Sequence, residues 1–453
     1  MSLFNTALIK KYDQSGPRYT SYPTANNFSA FSVNDYQTQV NISNNSNRAI
    51  SIYCHIPFCD TVCYYCGCNK IVTKDKDKAE PYLERLFKEI DLQAKLFDSS
   101  RQVEQMHFGG GTPTFLSNEQ IIRLSEKLQQ AFNFAKNGEY SIEIDPRGVD
   151  DKTLKALAQA RFNRISLGVQ DFDIDVQKAV NRVQSFEQTK AVIDGSRRHG
   201  FDSVSLDLIY GLPKQSVQSF EATLKKVASL RPDRISLFNY AHLPELFKPQ
   251  RRINVAELPS ADEKLEIFKF SMDFLLDQGY VYIGMDHFAL PEDPLAIAQQ
   301  QGELYRNFQG YSTHAQCDIV GLGLSAIGQV GESFSQNEKD IVRYYAALDE
   351  GKLPIVKGQV IHEDDKIRRA VIMDLICHFH LDFANIEWGF GIDFKSYFAD
   401  ELLRLAQMEA DTLVSISENS VTVLEPGKLL IRNICMVFDA YLASSKTQFS
   451  KTI

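Results

Sequence analysis

The chain has 453 residues, of which 44% are hydrophobic and 24% charged, so it can bury the cores of two domains. Its net charge of −9 argues against a general nucleic-acid-binding protein, which needs a basic surface. The sequence has no run of 18 apolar residues and begins without a charged-then-apolar leader, so we expect a cytoplasmic protein with no membrane span.

The first 45 residues differ from the rest. Glycine and prolines interrupt the stretch Gly16–Thr24, and residues 42–47 are rich in asparagine and serine. Such a composition is typical of irregular chain and linkers. We predict an irregular N-terminal arm over residues 1–45 that covers the active site.

Short apolar runs then alternate with amphipathic segments. Strands are predicted at 50–56, 103–108, 140–145, 164–169, 203–209 and 234–240, and helices at 80–97, 117–134, 151–160, 185–199 and 216–230. This alternation predicts an α/β fold with a parallel sheet. Polar and glycine motifs follow successive strands, which favours a partial (β/α)6 TIM-like barrel over a doubly wound sheet.

A second domain is predicted after the barrel. A helix at 260–278 and a strand at 280–285 extend the barrel domain, which we place at 46–336. From 337 to 453 the pattern predicts a mostly helical C-terminal domain with a hairpin at 413–424 and a helix at 426–443. Helices with a hairpin are also typical of winged-helix DNA-binding domains, but the acidic charge favours a substrate cover.

Three cysteines are the strongest chemical motif. Cys59, Cys63 and Cys66 form C-x-x-x-C-x-x-C directly after the first barrel strand. Their spacing is also compatible with one face of a helix, but the aromatic neighbours and Gly67 favour a loop that holds an iron–sulfur cluster. Three thiolates on a four-iron cluster leave one iron open to bind a small molecule.

Further polar groups follow the next strands. Glycines and a threonine at Gly109–Thr112 allow a ligand to approach the backbone closely. Glu143 and Asp145 share one face of the third strand, and Asp207 lies within the apolar fifth strand. With Gln170 and Arg182 these side chains predict a polar ring at one end of the sheet, although each alone is compatible with a structural ion pair.

A G-x-G-x-x-A motif spans Gly321–Ala326. A dinucleotide-binding motif should open the first βαβ unit, whereas this motif lies outside the βα series. We therefore expect close packing of this loop against a ligand and no nicotinamide site.

The cysteine motif followed by the Gly-Gly-Gly-Thr-Pro sequence resembles the radical S-adenosylmethionine (SAM) superfamily. More closely, the chain resembles the oxygen-independent coproporphyrinogen III oxidase family along nearly its whole length. The matching stretches are Gly16–Thr24, His55–Cys59, Cys66–Lys70, Ile209–Lys214, Phe238–His242, Gly284–Phe288 and Arg306–Tyr311.

The resemblance implies one [4Fe–4S] cluster on Cys59, Cys63 and Cys66, with SAM on the open iron. It assigns Tyr53, Gly110 and Glu143 to that first SAM. A second SAM is implied at the following positions: Tyr65, Gly111, Thr112, Gln170, Arg182, Asp207, Ala241 and Ile327. Cys68, Glu143 and Tyr53 are the implied catalytic residues, and Arg18, Arg251, Arg252, Arg306 and Arg432 are candidates for binding propionates.

The implied reaction converts two propionates of coproporphyrinogen III to vinyl groups through a 5′-deoxyadenosyl radical, giving protoporphyrinogen IX in haem biosynthesis. It requires a one-electron donor such as flavodoxin or ferredoxin and an electron acceptor that the sequence does not identify. We expect a monomer. The alternative is a haem chaperone of the same subfamily, and the segment Pro17–Pro23 together with Cys68 favours the enzyme.

Overall fold

The computed structural model describes residues 3–442, 449, 451 and 452. These residues divide into two compact units. The sheet unit comprises Ser29–Gln278 and Gln316–Val360, and the terminal unit comprises the described residues of Met1–Phe28, Gly279–Ala315 and Ile361–Ile453. Described residues near both ends of the chain therefore belong to one unit.

The regular elements are numbered here in chain order. The described strands are β1 (Ser29–Ala30), β2 (Ile50–Ile56), β3 (Phe58–Cys59), β4 (Ile71–Val72), β5 (Gln102–Gly110), β6 (Asn133–Ile144), β7 (Arg164–Gln170), β8 (Ser203–Tyr210), β9 (Arg234–Asn239), β10 (Val281–Gly284), β11 (His287–Ala289), β12 (Tyr305–Asn307), β13 (Gly310–Ser312), β14 (Asp318–Leu322), β15 (Ile327–Val330), β16 (Ser333–Asn337), β17 (Ile355–Val360), β18 (His380–Asp382), β19 (Val414–Ile416) and β20 (Ser420–Val423). The described helices are α1 (Thr6–Lys11), α2 (Val33–Asn44), α3 (Ala79–Ala94), α4 (Asn118–Ala131), α5 (Asp151–Gln159), α6 (Ile174–Ala179), α7 (Phe186–Arg198), α8 (Val217–Leu230), α9 (Ala261–Asp277), α10 (Pro294–Gln301), α11 (Ile341–Asp349), α12 (Glu363–His378), α13 (Phe383–Phe390), α14 (Phe394–Tyr397), α15 (Ala399–Ala410), α16 (Glu425–Leu429) and α17 (Ile431–Met436).

Six parallel strands form the centre of the sheet unit. β2, β5, β6, β7, β8 and β9 are neighbours in that order, and each pair is parallel. Helices α3, α4, α5, α7 and α8 fall between successive strands. Ser117, Ser185 and Ser216 cap three of these helices by accepting from the backbone N–H three residues later. The predicted α/β arrangement of a partial barrel is confirmed.

The sheet continues beyond β2 in the other direction. β14 lies parallel to β2, and β15, β16, β17 and β1 follow with antiparallel pairing. The helical pattern predicted from residue 337 onward is therefore wrong for Ile355–Val360, which forms β17 because it pairs with β16. The Gly321–Ala326 motif joins β14 to an antiparallel strand and not to a helix, which excludes a dinucleotide-binding turn.

The N-terminal segment contains more helix than its composition suggests. α1 and α2 flank residues 12–24, which form no helix and no strand of a sheet. Ser32 and Asp35 cap α2 reciprocally, and this helix runs to Asn44. The Asn/Ser-rich stretch 42–47 is thus partly helical, where we expected a linker.

The terminal unit has its own apolar core. Side chains of α12, α13 and α17 pack there with Tyr19 and Tyr22, which are at most 1% exposed. The predicted hairpin is present as β19 and β20, but the helix predicted at 426–443 is two short helices, α16 and α17, separated at Leu430. Within the described ranges, no helix meets the length and hydrophobicity needed to span a membrane.

Candidate active site

The predicted cluster cysteines lie on one loop between β2 and α3. Cys59 ends the short strand β3, which pairs with β4 at the far end of the loop. Cys59 and Cys63 are buried, Cys66 is half-buried and Cys68 is exposed. The three motif cysteines lie outside any helix, so the alternative of one apolar helix face is wrong.

This loop forms one wall of a cavity of about 520 Å³. The opposite wall comes from the carboxyl ends of β5, β6, β7 and β8. The predicted site residues on the lining are Cys59, Cys63, Tyr65, Cys66, Cys68, Gly110, Gly111, Thr112, Glu143, Gln170, Arg182 and Asp207. The lining found in the described part of the chain does not include Tyr53, Ala241 or Ile327.

Neighbouring donors act on the cysteine sulfurs. The Thr112 hydroxyl lies 3.5 Å from the Cys59 sulfur, and a guanidinium nitrogen of Arg182 lies 3.6 Å from that of Cys63. A hydrogen bond from Cys68 lowers the pKa of Cys66 to about 5. Burial instead raises the pKa of Cys59 to about 11, so ionisation of this thiol requires the positive charge of bound iron.

The donor set fits a cluster better than a single ion. Across the described ranges, no three His, Cys, Asp or Glu side chains are grouped tightly enough to hold one metal ion. The thiolates of a cubane each bind a different iron and need not converge on one point. Three cysteines on the wall of one cavity, with donors to two of their sulfurs, therefore suit a [4Fe–4S] cluster.

Gly110 allows close approach at the end of β5. Its φ is 113°, and a Cβ atom there would lie 2.6 Å from the His55 ring. The next two residues hold the cysteine loop, since Gly111 donates to the carbonyl of Ile56 at 2.8 Å and Thr112 to that of Phe58 at 2.8 Å. The glycine run thus brings bare backbone to the cavity beside the cysteines.

Glu143 is held by a histidine that sequence reasoning missed. His107 Nε2 lies 3.3 Å from one carboxylate oxygen of Glu143, and the Gly110 N–H donates to the other at 3.3 Å. Desolvation alone would raise the pKa of Glu143, but His107 and the Gly110 N–H lower it overall. The carboxylate is therefore ionised at neutral pH.

The strand register explains this arrangement. His107 lies opposite Tyr53 on β2 and Ser141 on β6, and its ring stacks on Tyr53 with centroids 6.0 Å apart. The Tyr53 hydroxyl lies 3.1 Å from His55 Nδ1. Residues two apart on a strand share a face, so His107 lies on the same face of β5 as Gly109. Its contact with Glu143 becomes evident only when the pairing of β5 with β6 is known.

Asp207 is the second carboxylate of the cavity. It lies opposite Gly168 on β7 and Ser236 on β9, and the Ser166 hydroxyl donates to it at 3.3 Å. Burial, and then the charge of Glu143, raise the pKa of Asp207 to about 7. Its side chain therefore exchanges a proton near neutral pH.

Arg182 and Gln170 extend the polar wall. Arg182 donates to Asp145 at 3.1 Å and to the carbonyl of Gly168 at 2.5 Å. Asp145 also pairs with Arg147 at 2.6 Å, a partner that sequence reasoning missed. Considering the described residues only, the buried Nε of Arg182 and Oε1 of Gln170 have no hydrogen-bond partner. Such atoms are costly unless a ligand satisfies them.

Two other predicted residues, Ala241 and Ile327, lie outside the cavity lining. The side chain of Gln250 donates to the carbonyls of Tyr65, at 2.9 Å, and Ala241, at 3.2 Å, which links these two residues. Ile327 lies on β15, beside the Gly321 backbone of β14. The polar ring predicted from the sequence is thus assembled at the end of the sheet, with Ala241 and Ile327 outside its lining.

Comparisons with known proteins agree with this geometry. The family described as "Radical SAM superfamily" matches residues 53–227, and that described as "HemN C-terminal domain" matches residues 361–430. The oxygen-independent coproporphyrinogen III oxidase of Pseudomonas aeruginosa is 51% identical over 450 residues, covering 98% of each chain. The relative of the same name from Escherichia coli K12 is 49% identical over 455 residues, covering 99% of this chain and 98% of its own.

A solved structure shows the same fold over the full length. It is the coproporphyrinogen III oxidase of Escherichia coli, described as a radical SAM enzyme, with a TM-score of 0.93 and 48% identity. The match covers 97% of this chain and 99% of that one. Together with the cysteine-lined cavity at the end of the parallel strands, these similarities show that the chain belongs to the oxygen-independent coproporphyrinogen III oxidase family of radical SAM enzymes.

Proposed function

We propose that this chain decarboxylates the propionates on rings A and B of coproporphyrinogen III to vinyl groups, giving protoporphyrinogen IX. Each propionate loses one β-hydrogen atom, one carbon dioxide and one electron. The observation that carries the proposal is the cavity that Cys59, Cys63 and Cys66 share with Glu143. Full-length relatives are named as oxidases of this substrate, which does not favour the haem chaperone alternative.

Cys59, Cys63 and Cys66 would hold the [4Fe–4S] cluster through three of its irons. When bound, the cluster would supply the electron that cleaves the sulfonium of SAM. Glu143 and the backbone of Gly110 bind that SAM, with Tyr53 supporting the site through its stack on His107. The ionised carboxylate of Glu143 suits a cationic or hydrogen-bond-donating ligand.

The second SAM is part of the same proposal. Asp207, Arg182 and Gln170 supply charged and amide groups, and the unpartnered atoms of Arg182 and Gln170 support a ligand at this wall. Tyr65 contributes an aromatic face, and Gly111 and Thr112 contribute backbone. Ala241 and Ile327 are assigned to this SAM by family resemblance.

Cys68 has a separate proposed role. It lies on the cavity wall and is exposed, and its thiol hydrogen-bonds to the cluster ligand Cys66. We assign Cys68 to turnover at the substrate and not to cluster binding. Cys68→Ser should therefore keep the cluster and lose activity.

The remaining assignments follow from the chemistry. One-electron delivery requires a donor such as flavodoxin or ferredoxin, and the electron released in decarboxylation requires an acceptor. Reduced cysteines and a cluster suit the cytoplasm. The residues 1–45 are proposed to cover the active site, and the chain is proposed to act as a monomer.

The direct test is an anaerobic assay of the reconstituted protein with coproporphyrinogen III, SAM and a low-potential reductant. We expect protoporphyrinogen IX and the intermediate with one vinyl group. A protein with a full cluster that binds haem tightly and forms no vinyl product would instead be a chaperone.

A further inference from the structure

Arg306 is the most unusual charged residue of the terminal unit. It lies on β12 and is only 4% exposed. Among the described residues, its Nε and Nη1 are buried and have no hydrogen-bond partner. A buried guanidinium is costly unless its donors are satisfied, and an anionic ligand would satisfy these two.

The Arg306 guanidinium is held in place by its own hairpin. Arg306 lies opposite Tyr311 in the pairing of β12 with β13, and its Cζ lies 4.7 Å from the centre of the Tyr311 ring. The Tyr311 hydroxyl is in turn fixed by donating to the carbonyl of Ile376 at 3.0 Å. The ring covers one face of the guanidinium, so a ligand is restricted to the nitrogens at its edge.

Two further arginines of the same unit lie within electrostatic range. Arg18 pairs with Asp286 at 3.7 Å, and the charges of Arg18, Arg306 and Arg432 all act on the Asp286 carboxylate. Asp286 is the carboxylate that these three cations share, so this set of four side chains carries more positive than negative groups. Burial raises the pKa of Asp286, and the charges of the three arginines act in the opposite direction.

Arg432 has a different task from the other two. Its Nε donates to the carbonyl of Pro17 at 2.9 Å, and its Nη1 donates to that of Lys451 at 2.9 Å. A third nitrogen donates to the carbonyl of Gly16. Its hydrogen bonds are thus used to fix the backbone that carries Arg18, and only its charge is available to a ligand.

We propose that Arg306 and Arg18 form a carboxylate-binding site in the terminal unit, and that a propionate of the tetrapyrrole substrate occupies it. The substrate assignment rests on the proposed function, whose substrate carries four propionates. Arginine suits this ligand because charge-assisted hydrogen bonds to carboxylates are strong and directional. A small free carboxylic acid has the same chemistry and is the rival source of the ligand.

The test measures binding of coproporphyrin III, the oxidised tetrapyrrole with the same four propionates, to the anaerobically reconstituted holoenzyme by fluorescence. We expect Arg306→Gln to weaken binding roughly 10- to 100-fold, since a hydrogen bond to a charged group is lost. Arg306→Lys should recover part of the affinity. Arg404→Gln, which removes an arginine that is 55% exposed in the same unit, should bind like the wild type.

Arg18→Gln gives a second variant that is safe for folding, because the Arg18 side chain is 36% exposed. It should also weaken coproporphyrin binding while leaving cluster iron content unchanged. Wild-type affinity for both coproporphyrin and glutarate in Arg306→Gln and Arg18→Gln would overturn the site. If these variants lose binding of glutarate but keep that of coproporphyrin, the ligand is a small acid and the substrate assignment is wrong.

The outcome separates this inference from the proposed function. A wild-type protein that forms no vinyl product contradicts the proposed function itself. A wild-type protein that turns over normally, with variants that bind coproporphyrin and glutarate equally well, contradicts only the carboxylate site.

Discussion

At the scale of single residues, the chemistry of the cavity depends on hydrogen-bond donors that contact the cysteine sulfurs and the Glu143 carboxylate. Thr112 and Arg182 lie beside the sulfurs of Cys59 and Cys63, and His107 fixes Glu143. These contacts fix the positions of the sulfurs and of the carboxylate in the protein without a ligand. Each can be removed singly and its effect measured.

The three motif cysteines should be individually essential for the cluster. Cys59→Ala, Cys63→Ala and Cys66→Ala are each expected to abolish the cluster's absorption and iron content after anaerobic reconstitution, because one iron loses its protein ligand. Cys317→Ala is the matched control, since Cys317 is a buried cysteine of the same unit outside the cavity lining. Normal iron in any of the three motif variants would contradict the ligand assignment.

Asp207 should determine how many SAM molecules bind. We expect equilibrium dialysis to give two SAM per wild-type holoenzyme and one for Asp207→Ala, because the variant lacks the carboxylate of the second site. Asp194→Ala is the control, since Asp194 lies on the surface of α7 with a side chain that is 48% exposed. A single site in the wild type, unchanged by Asp207→Ala, would refute the second SAM.

Most of these site residues can be predicted from the sequence, but the residues that contact them cannot. The cysteine spacing and the alternation along β6 and β8 predict Cys59, Glu143 and Asp207 directly. His107 and Arg147 were missed because their roles depend on cross-strand register and on a turn, and neither is visible in local spacing. Ala241 is linked to the cysteine loop through Gln250, whose side chain also donates to the carbonyl of Tyr65, 185 residues away in the sequence.

At the scale of elements, α3 fixes the loop that follows β14. Glu89 of α3 is fully buried and accepts hydrogen bonds from the Gly323 N–H at 2.9 Å, Asn337 at 2.6 Å and Tyr344 at 2.5 Å. Tyr82 of the same helix accepts from the Leu324 N–H and donates to the carbonyl of His55 at 2.7 Å. The Gly321–Ala326 motif is thus explained by packing against α3 and the end of β2.

Glu89 should make stability depend on pH. Burial raises its pKa to about 7, so the folded protein binds a proton that the unfolded chain releases near pH 4.5. The stabilisation by this proton is complete below about pH 4.5 and is lost as pH rises to about 7, by up to about 3 kcal/mol.

The measurement is urea unfolding of wild type and Glu89→Gln between pH 5 and 8. The free energy of unfolding of the wild type should fall across this range as Glu89 loses its proton, and the variant should lack this fall. The stability of the variant relative to wild type should therefore increase with pH. Glu119→Gln, at an exposed position on α4, is the control. Parallel stability curves for wild type and Glu89→Gln would refute the raised pKa.

The described residues of the N-terminal arm up to Phe28 belong to the terminal unit. The hydroxyl of Tyr19 donates to Asp439 at 2.9 Å, and that of Tyr22 accepts from the Ala440 N–H at 3.0 Å. Both tyrosines are buried in the core of this unit. Deleting residues 1–30 would therefore open that core, although the irregular sequence suggests that the arm can be removed without loss of fold.

A point change tests this better than a deletion. Tyr22→Ala should destabilise the terminal unit by about 3–5 kcal/mol, because a fully buried aromatic side chain leaves a cavity. Hydrogen exchange of α12 and α17 should accelerate, whereas that of β5 to β8 should change little. Tyr397→Ala removes a tyrosine that is 37% exposed and should cost far less. Equal exchange in Tyr22→Ala and Tyr397→Ala would contradict the packing argument.

Strands and helices are predicted well from the sequence where each one carries its own apolar pattern. All six barrel strands and the helices between them lie close to their predicted positions, because each has a clear apolar pattern and several have serine caps. The sequence does not predict β17, which forms by pairing with β16, and α2 lies in the arm predicted to be irregular, where a capping box stabilises a helix.

At the scale of the whole molecule, the division of the chain could not be read from local patterns. Segments from the beginning, the middle and the end of the sequence form the terminal unit, because their apolar side chains share one core. The cysteine cavity belongs to the sheet unit, and the arginine group belongs to the terminal unit.

The central claim is that a hydrogen atom leaves the β-carbon of a substrate propionate during decarboxylation. It is tested most directly with coproporphyrinogen III deuterated at the propionate β-carbons, turned over anaerobically with SAM and a reductant. Mass spectrometry should find deuterium in the 5′-deoxyadenosine, with one SAM cleaved for each vinyl group formed. Vinyl product without label in 5′-deoxyadenosine, or SAM cleavage without any vinyl product, would contradict the account.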